Sequence, residues 1–325
     1  MKKHMFPKRA PAEMETCSNL RRAIPLAVSR RHLYSAYAVG VYVGNTDRPE
    51  TNVLKSSSCL PMIGGQISSE VNGDKEPIDL GNGISIGYAN STVMGHEDRN
   101  VYFTSAHALV TDLRIWDGYV NLKTIDATVT SKSDGLEEDL EIPAYLTLDL
   151  EIGGDSKSGG DPIQIPIRLD PDLTGPNASL SSKGAIRTRF LEDLSLRESW
   201  RDRFMPGAPQ VHFEQYLANR IPPEIYGYVY FSLVKKIEVK GALSNVERVG
   251  CNILEIHHPK NLEMMRLYLG ETMRSERTCR LFGVRAEIFG IPDKGGNPPL
   301  KAVVEAGTVG SNGMGSKPGG GYIAP

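Results

Sequence analysis

The chain has 325 residues, 40% of them hydrophobic and 7% aromatic, with 37 basic residues against 39 acidic ones and a formal net charge of −2. That length suffices for one large core or two ordinary ones. The balanced charge excludes whole-molecule attraction to nucleic acid or anionic lipid, so any such binding needs a local patch.

Residues 1–34 read as a basic, flexible arm: Lys2, Lys3, Lys8, Arg9, Arg21, Arg22, Arg30 and Arg31 stand against Glu13 and Glu15, and Pro7 and Pro11 interrupt any helix. A nuclear-import or phosphate-binding arm and a solubilising tail both fit this composition. Residues 35–170 predict a β-rich core. A first strand covers 35–43, and apolar and polar residues alternate through 84–88, 119–125, 145–152 and 163–167, the pattern of half-buried antiparallel strands. Gly81-Asn82-Gly83 predicts a turn, and the polar stretches 44–50 and 68–77 predict loops. The glycine-rich segment 153–161 predicts a loop whose flanking strands pair as a hairpin.

Residues 171–187, rich in Pro, Asp, Gly and Ser, read as a linker. A helix is expected over 189–204, with Phe190, Leu194, Leu196, Trp200 and Phe204 as its apolar stripe. The second half, 188–309, returns to strands: 225–234 running into 235–240, then 252–256, 281–289 and 302–309. A short helix is expected over 259–269, with Pro259 in its first turn and Leu262, Met265 and Leu269 on one face. The glycine-rich tail 310–325 reads as disordered. The fold class is therefore mainly β (α+β): an antiparallel β-sandwich-like core with a few short helices and flexible termini.

Three constellations bear on chemistry. Thr104-Ser105-Ala106-His107 is similar to the histidine strand end of chymotrypsin-like proteases. Such a site needs a nucleophile on a turn whose amides form an oxyanion hole. Here Ser156 is followed by Lys157 rather than glycine, and Ser311 lies too near the end of the chain for further strands, so His107 reads as a structural histidine at a strand end. Cys251, His257, His258 and Cys279 are ligand types that suit zinc, but their spacing matches no compact knuckle. No metal or cofactor is expected. Asp126 is the one acid set among strand residues, either solvent-facing or a buried partner for a cation.

Basic residues recur in the second half, Arg248 and Arg285 among them. Lys235, Lys236, Lys240, Arg266, Arg274, Arg277 and Arg280, with Tyr226, Tyr228 and Tyr230, could form a surface for phosphate backbones or lipid headgroups, although acids are interleaved with them. No CxxC pair joins the four cysteines, no secretory leader pattern precedes them, and no apolar run approaches the ~18–20 residues of a membrane-spanning helix. An intracellular location follows as an expectation: cytoplasm, nucleus or cell periphery, without secretion.

This organisation resembles accessory proteins of plant negative-strand RNA viruses. It is similar to the 30K-type movement proteins, whose hallmark is an Asp at the end of a hydrophobic strand with a Gly some tens of residues on. Asp126 and the glycines Gly153, Gly154, Gly159 and Gly160 stand in those places. The resemblance implies a non-enzymatic protein that binds single-stranded nucleic acid cooperatively, associates with membranes at plasmodesmata and self-associates as a homo-oligomer. Residues 229–237 are similar in texture to a strand of viral matrix proteins, which implies instead a bridge between nucleocapsid and anionic membrane. A host enzyme whose groups come from distant segments is the third class.

Overall fold

The computed structural model describes residues 34–46, 48–73, 76–99, 101–133, 140–153, 161–175, 178, 181–192, 224–225, 228–239, 243–291 and 298–312. The basic arm, Trp200, Lys240, Tyr226, the glycines Gly154, Gly159 and Gly160, and the tail beyond 312 lie outside the described residues.

The strands in chain order are β1 (Ser35–Asn45), β2 (Val53–Cys59), β3 (Gly65–Asn72), β4 (Ile78–Gly81), β5 (Ile84–Ile86), β6 (Tyr88–Asp98), β7 (Val101–Ile115), β8 (Val120–Ser133), β9 (Ala144–Ile152), β10 (Ile163–Ile165) and β11 (Ile167–Leu169). After the helix α1 (Lys183–Glu192) come β12 (Glu224–Ile225), β13 (Tyr228–Ser232), β14 (Val234–Ile237), β15 (Val246–Arg248), β16 (Ile253–His257), β17 (Met264–Arg274), β18 (Thr278–Phe289) and β19 (Leu300–Asn312). All these strands pair antiparallel, and the architecture is the mainly β sandwich that the alternation predicts.

Sheet I has nine strands in the order β12-β13-β17-β18-β19-β1-β2, with β16 and then β15 extending from the other half of β17. Sheet II has eight, in the order β10-β9-β8-β7-β5-β4, with β6 and β3 continuing from β7. A small third sheet pairs β11 with β14. The sheets do not follow the boundary at 171–187: β1 and β2, from the first half of the chain, complete the sheet of the second half through β19. The core between the sheets draws on both, with Val41, Val284, Val304 and Ala306 of sheet I packed with Ile125, Leu122, Val110 and Leu150 of sheet II, all fully buried.

Four glycines set how closely the sheets meet. The pairings that flank them place Gly270, Gly283, Gly307 and Gly40 opposite one another across β17, β18, β19 and β1. A Cβ at Gly283 or Gly307 would fall 2.7 or 2.6 Å from Ile125 Cγ2, one at Gly270 2.8 Å from Leu146 Cδ2, and one at Gly40 2.9 Å from Ala89 Cβ. Each of those neighbours belongs to sheet II. Gly270 and Gly307 also adopt φ of +63°, open to glycine with little strain, and Ser56, next in the row on β2, has φ of +58°. Along this row two consecutive residues face inward, as at a β-bulge, so every strand it crosses bends at one level. Interior hydroxyls add hydrogen bonds between the sheets: Ser91 with Ser56 at 3.1 Å and with Ser58 at 3.0 Å, and Ser131 with Ser311 at 3.2 Å.

Several local expectations are corrected. The helix expected over 259–269 is a turn followed by β17. Met265, Leu267 and Leu269 point inward and alternate with Arg266 and Tyr268, so the period is two, while Leu262 is exposed in the turn. Residues 68–72 are strand rather than loop, within an edge strand too exposed to show alternation. The helix expected over 189–204 starts at Lys183, six residues before the expected start, because Ser182 Oγ accepts the Ala185 N–H and caps it. The expected strand over 225–240 is divided twice: Ile225 belongs to β12, which pairs antiparallel with β13 through Tyr228, and at Leu233 the chain leaves sheet I for the small sheet. Residues 310–312 belong to β19, not to a disordered tail. At its described residues the expected linker is packed: Leu173 and Ile186 join the core, and the Ser181 carbonyl accepts the Ile142 N–H. The hairpin across 153–161 forms as expected, with Ile152 opposite Ile163.

At Gly307, a positive φ and a clash with Ile125 act together, each worth about 1–3 kcal/mol. Gly307→Ala is expected to destabilise the protein by about 3 kcal/mol or more in chemical denaturation. Gly153→Ala, at a φ of +83° with nothing within 4 Å of the added carbon, is expected to cost only about 1 kcal/mol.

Candidate functional site

The inward row of glycines leaves sheet I with an outer face of a different character. Alternation brings Arg266, Tyr268, Glu271 and Met273 of β17 to that face, with Arg280, Phe282, Arg285, Glu287 and Phe289 of β18, Glu305 and Gly310 of β19, and Tyr37 and Tyr42 of β1. The face divides into an ionic half and an aromatic half.

The ionic half centres on Arg285. Its Nε donates to Glu271 at 3.0 Å, its Nη1 donates to Glu287, and its guanidinium lies 4.1 Å from the Tyr268 ring centroid. The Tyr268 hydroxyl donates to Glu287 at 3.0 Å. Arg285 and Glu271 are each only 12% exposed, so this pair is screened far less than a surface ion pair. Arg266 pairs with Glu255 at 3.1 Å and stands 5.8 Å over Phe289. Glu305 lies opposite Arg285 on one side and Tyr42 on the other. Burial pushes its carboxyl above the usual range, Arg280 and Arg285 pull it back, and Glu271 adds to the rise.

The aromatic half lies in the row Tyr230, Met273, Arg280, Gly310, Tyr37 and Cys59, each opposite the next across five adjacent strand pairs. Arg280 is exposed, and its guanidinium sits 5.4 Å from the Tyr37 ring centroid and 4.7 Å from that of Phe282. Among the described residues no carboxylate stands within ion-pair distance of it. Gly310 makes room for this packing, since a Cβ there would enter the Tyr37 ring. Burial pushes the Tyr37 phenol well above its ordinary value, and the Arg280 charge partly offsets that rise. The result is a guanidinium held over two rings beside Tyr230 and Met273, a surface on which planar groups can stack.

The seven basic residues singled out in the sequence do not converge. Arg280 and Arg266 share this face, but Arg266 is ion-paired. Arg274 is 1% exposed and donates to the Leu140 carbonyl, where it holds residues 140–142 against sheet I, so no phosphate backbone can reach it in this fold. Arg277 is half-buried in the turn between β17 and β18. Lys235 and Lys236 are exposed on β14, in the small third sheet. Lys236 pairs with Glu238 at 3.2 Å, and Lys236 and then Arg168 hold the Glu238 carboxyl below its ordinary value. Lys240 lies outside the described residues.

Asp126 is on the outer face of sheet II, 45% exposed, with its carboxylate 3.0 Å from His107 Nε2. It is thus a half-exposed partner of a histidine. His107 itself lies mid-strand in β7 rather than at a strand end. Cys279 is buried in the core, where burial pushes its thiol up, and His258 Nδ1 accepts two turn amides, from Lys260 and Asn261. Among the described residues no group of three His, Cys, Asp or Glu side chains is placed to hold a metal ion, and no helix is long and apolar enough to cross a membrane. Tyr37, Phe282 and the Arg285 network were missed by sequence reading. The signal that could have found them is the alternation in 280–289, which sets Arg280, Phe282, Arg285 and Glu287 on one face once the bulge at Gly283 is allowed for.

No protein-family model matches the chain, no curated protein matches it, and no solved structure matches its fold.

Glu305 and Glu271 are expected to respond oppositely to neutralisation. A carboxyl whose folded pKa is raised above the ordinary 4.5 binds more protons folded than unfolded, so it lowers stability as pH rises from about 4.5 through its folded value. Glu305→Gln should remove that decline and leave the protein at least as stable at pH 7. Glu271→Gln strips a buried arginine of one of its two carboxylate partners and should cost about 1–3 kcal/mol at pH 7. Thermal denaturation between pH 4.5 and 7.5 checks both.

Proposed function

We propose that the aromatic half of the outer face of sheet I binds single-stranded nucleic acid, and that the protein is a non-enzymatic carrier of such strands. The observation that carries this reading is Arg280, an exposed guanidinium laid over Tyr37 and Phe282 without a carboxylate partner among the described residues. Unpaired bases stack on aromatic rings and arginine planes regardless of sequence, and each stacked base contributes about 1–3 kcal/mol. The wider assignment, a movement-type accessory protein that carries viral nucleic acid between cells as a homo-oligomer, rests on the sequence resemblance. The matrix-type alternative, adhesion of nucleocapsid to an anionic membrane, has less support, because of its two exposed lysines on β14 one is already paired with Glu238.

A site built this way should depend on salt only weakly. Single-strand binding changes by a slope of about −0.7 in log K against log salt for each phosphate contacted, so a face with one unpaired guanidinium predicts a slope of about −0.7. Titration of the full chain with fluorescent single-stranded RNA across a salt series checks this. Arg280→Ala and Phe282→Ala should each weaken binding about tenfold, with duplex RNA bound poorly throughout. No binding at low salt, or binding indifferent to both substitutions, contradicts the proposal.

A further inference from the structure

Sheets I and II each end in a long strand at neighbouring positions, β2 and β3, joined by the bond from Ser56 Oγ to the Ser69 carbonyl at 2.8 Å. An edge strand presents backbone N–H and C=O groups that another strand can complete, and folds usually blunt it by shortness, lysine, proline or a kink. Among the described strands the other edges are blunted. β12, β10, β15 and β4 have two to four residues, and β2 carries Lys55 and the positive φ of Ser56. β3 has one of these devices only at its margin, the φ of +114° at Gly65, its first residue. It runs for eight residues, Gly65-Gln66-Ile67-Ser68-Ser69-Glu70-Val71-Asn72, six of them exposed, without lysine, proline or an irregularity in its pairing with β6. Large apolar side chains surround it: Ile63 is 92% exposed and Met62 58% in the turn that leads into it, and Ile67 and Met94 are also exposed.

We propose that β3 pairs antiparallel with β3 of a second copy of this chain about a two-fold axis through Ser69, joining the two copies of sheet II edge to edge. The strand is its own complement about that axis. Ile67 faces the partner's Val71, a β-branched pair on one side of the sheet. On the other side Gln66 faces the partner's Asn72, and Ser68 faces the partner's Glu70. The one charge of the strand then meets a hydroxyl. An axis at Ser68 would break the Ile67–Val71 pair, and an axis at Glu70 would set two carboxylates against each other. Identical strands closed by a two-fold leave no edge open for further addition, so the assembly stops at two along this edge.

The test uses the full chain. Sedimentation and light scattering over a concentration series should show a dimer, and Ile67→Lys, which the two-fold introduces twice, should raise its dissociation constant at least about tenfold with Tm unchanged. A cysteine at the axis gives an independent readout. In a Cys59→Ser background, Ser69→Cys should form a reducible dimer under mild oxidation. Glu70→Cys should not, because the two copies of that position lie about 7 Å or more apart in this register, beyond disulfide reach. A monomer at every concentration overturns the proposal. So does a dimer that Ile67→Lys leaves intact and Ser69→Cys fails to link, which would place the contact elsewhere.

Discussion

Everything in this molecule is arranged around the close approach of two sheets at one row of residues. Sheet I can lie against Ile125, Leu146 and Ala89 of sheet II only because β17, β18, β19 and β1 each place a glycine at the contact. Interiors pack to crystal-like density, so a side chain at any of the four would have to displace an apolar residue that is itself surrounded. Gly270 and Gly307, with Ser56 beside them, also take positive φ, which turns two consecutive residues of a strand toward the core. The row is thus both a spacer and a bend, and its position fixes which residues beyond it face outward.

The outer face follows from that bend. On one side of the row, Tyr268, Arg285 and Glu305 share a line across the sheet, and the large side chains shield one another until Arg285 and Glu271 are nearly out of water. Charges so placed need partners, and Arg285 has two carboxylates and a ring. On the other side of the row Glu271, opposite Phe282, reaches back to Arg285, and Arg280 lies between rings, with Gly310 as the flat place over which Tyr37 lies. The same physics gives opposite characters to two ends of one face: where carboxylates are in register the arginine is neutralised and rigid, and where they are absent it stays available. Sequence counting cannot separate these cases, because Arg266, Arg274, Arg280 and Arg285 look alike until their cross-strand neighbours are known.

The legible part of the fold was the part governed by local period. Strands at 35–43, 145–152, 281–289 and 302–309 exist, with the alternation of the first and the last two interrupted at the glycine row, whereas 163–167 is divided at Pro166 between sheet II and the small third sheet. The failures have particular causes. In 259–269, Leu262, Met265 and Leu269 imitate a helical face only because Leu262 belongs to an exposed turn. β3 was invisible because an exposed edge strand has no buried face to alternate against. Glycine was read as disorder at Gly310, where it serves a tyrosine ring, and the composition of 171–187 concealed Leu173, which is core. Of the candidate site, Arg280 and Tyr230 were legible as residue types, whereas Tyr37 and Phe282 were not, since they reach Arg280 through pairings between strands far apart in the chain. The arm of sheet I formed by β1 and β2 was likewise hidden, because β1 pairs with a strand more than 250 residues later.

That last pairing is what makes the two halves of the chain one structure, and native-state amide hydrogen exchange tests it most directly. The account predicts that amides of β1, β17, β18 and β19 exchange together with those of β7 and β8, at one common opening free energy, because the glycine row locks the two sheets into a single cooperative unit. Two exchange groups that divide residues 35–170 from those after 188, with β1 protected as part of the first and unaffected by opening of β18 and β19, would contradict it.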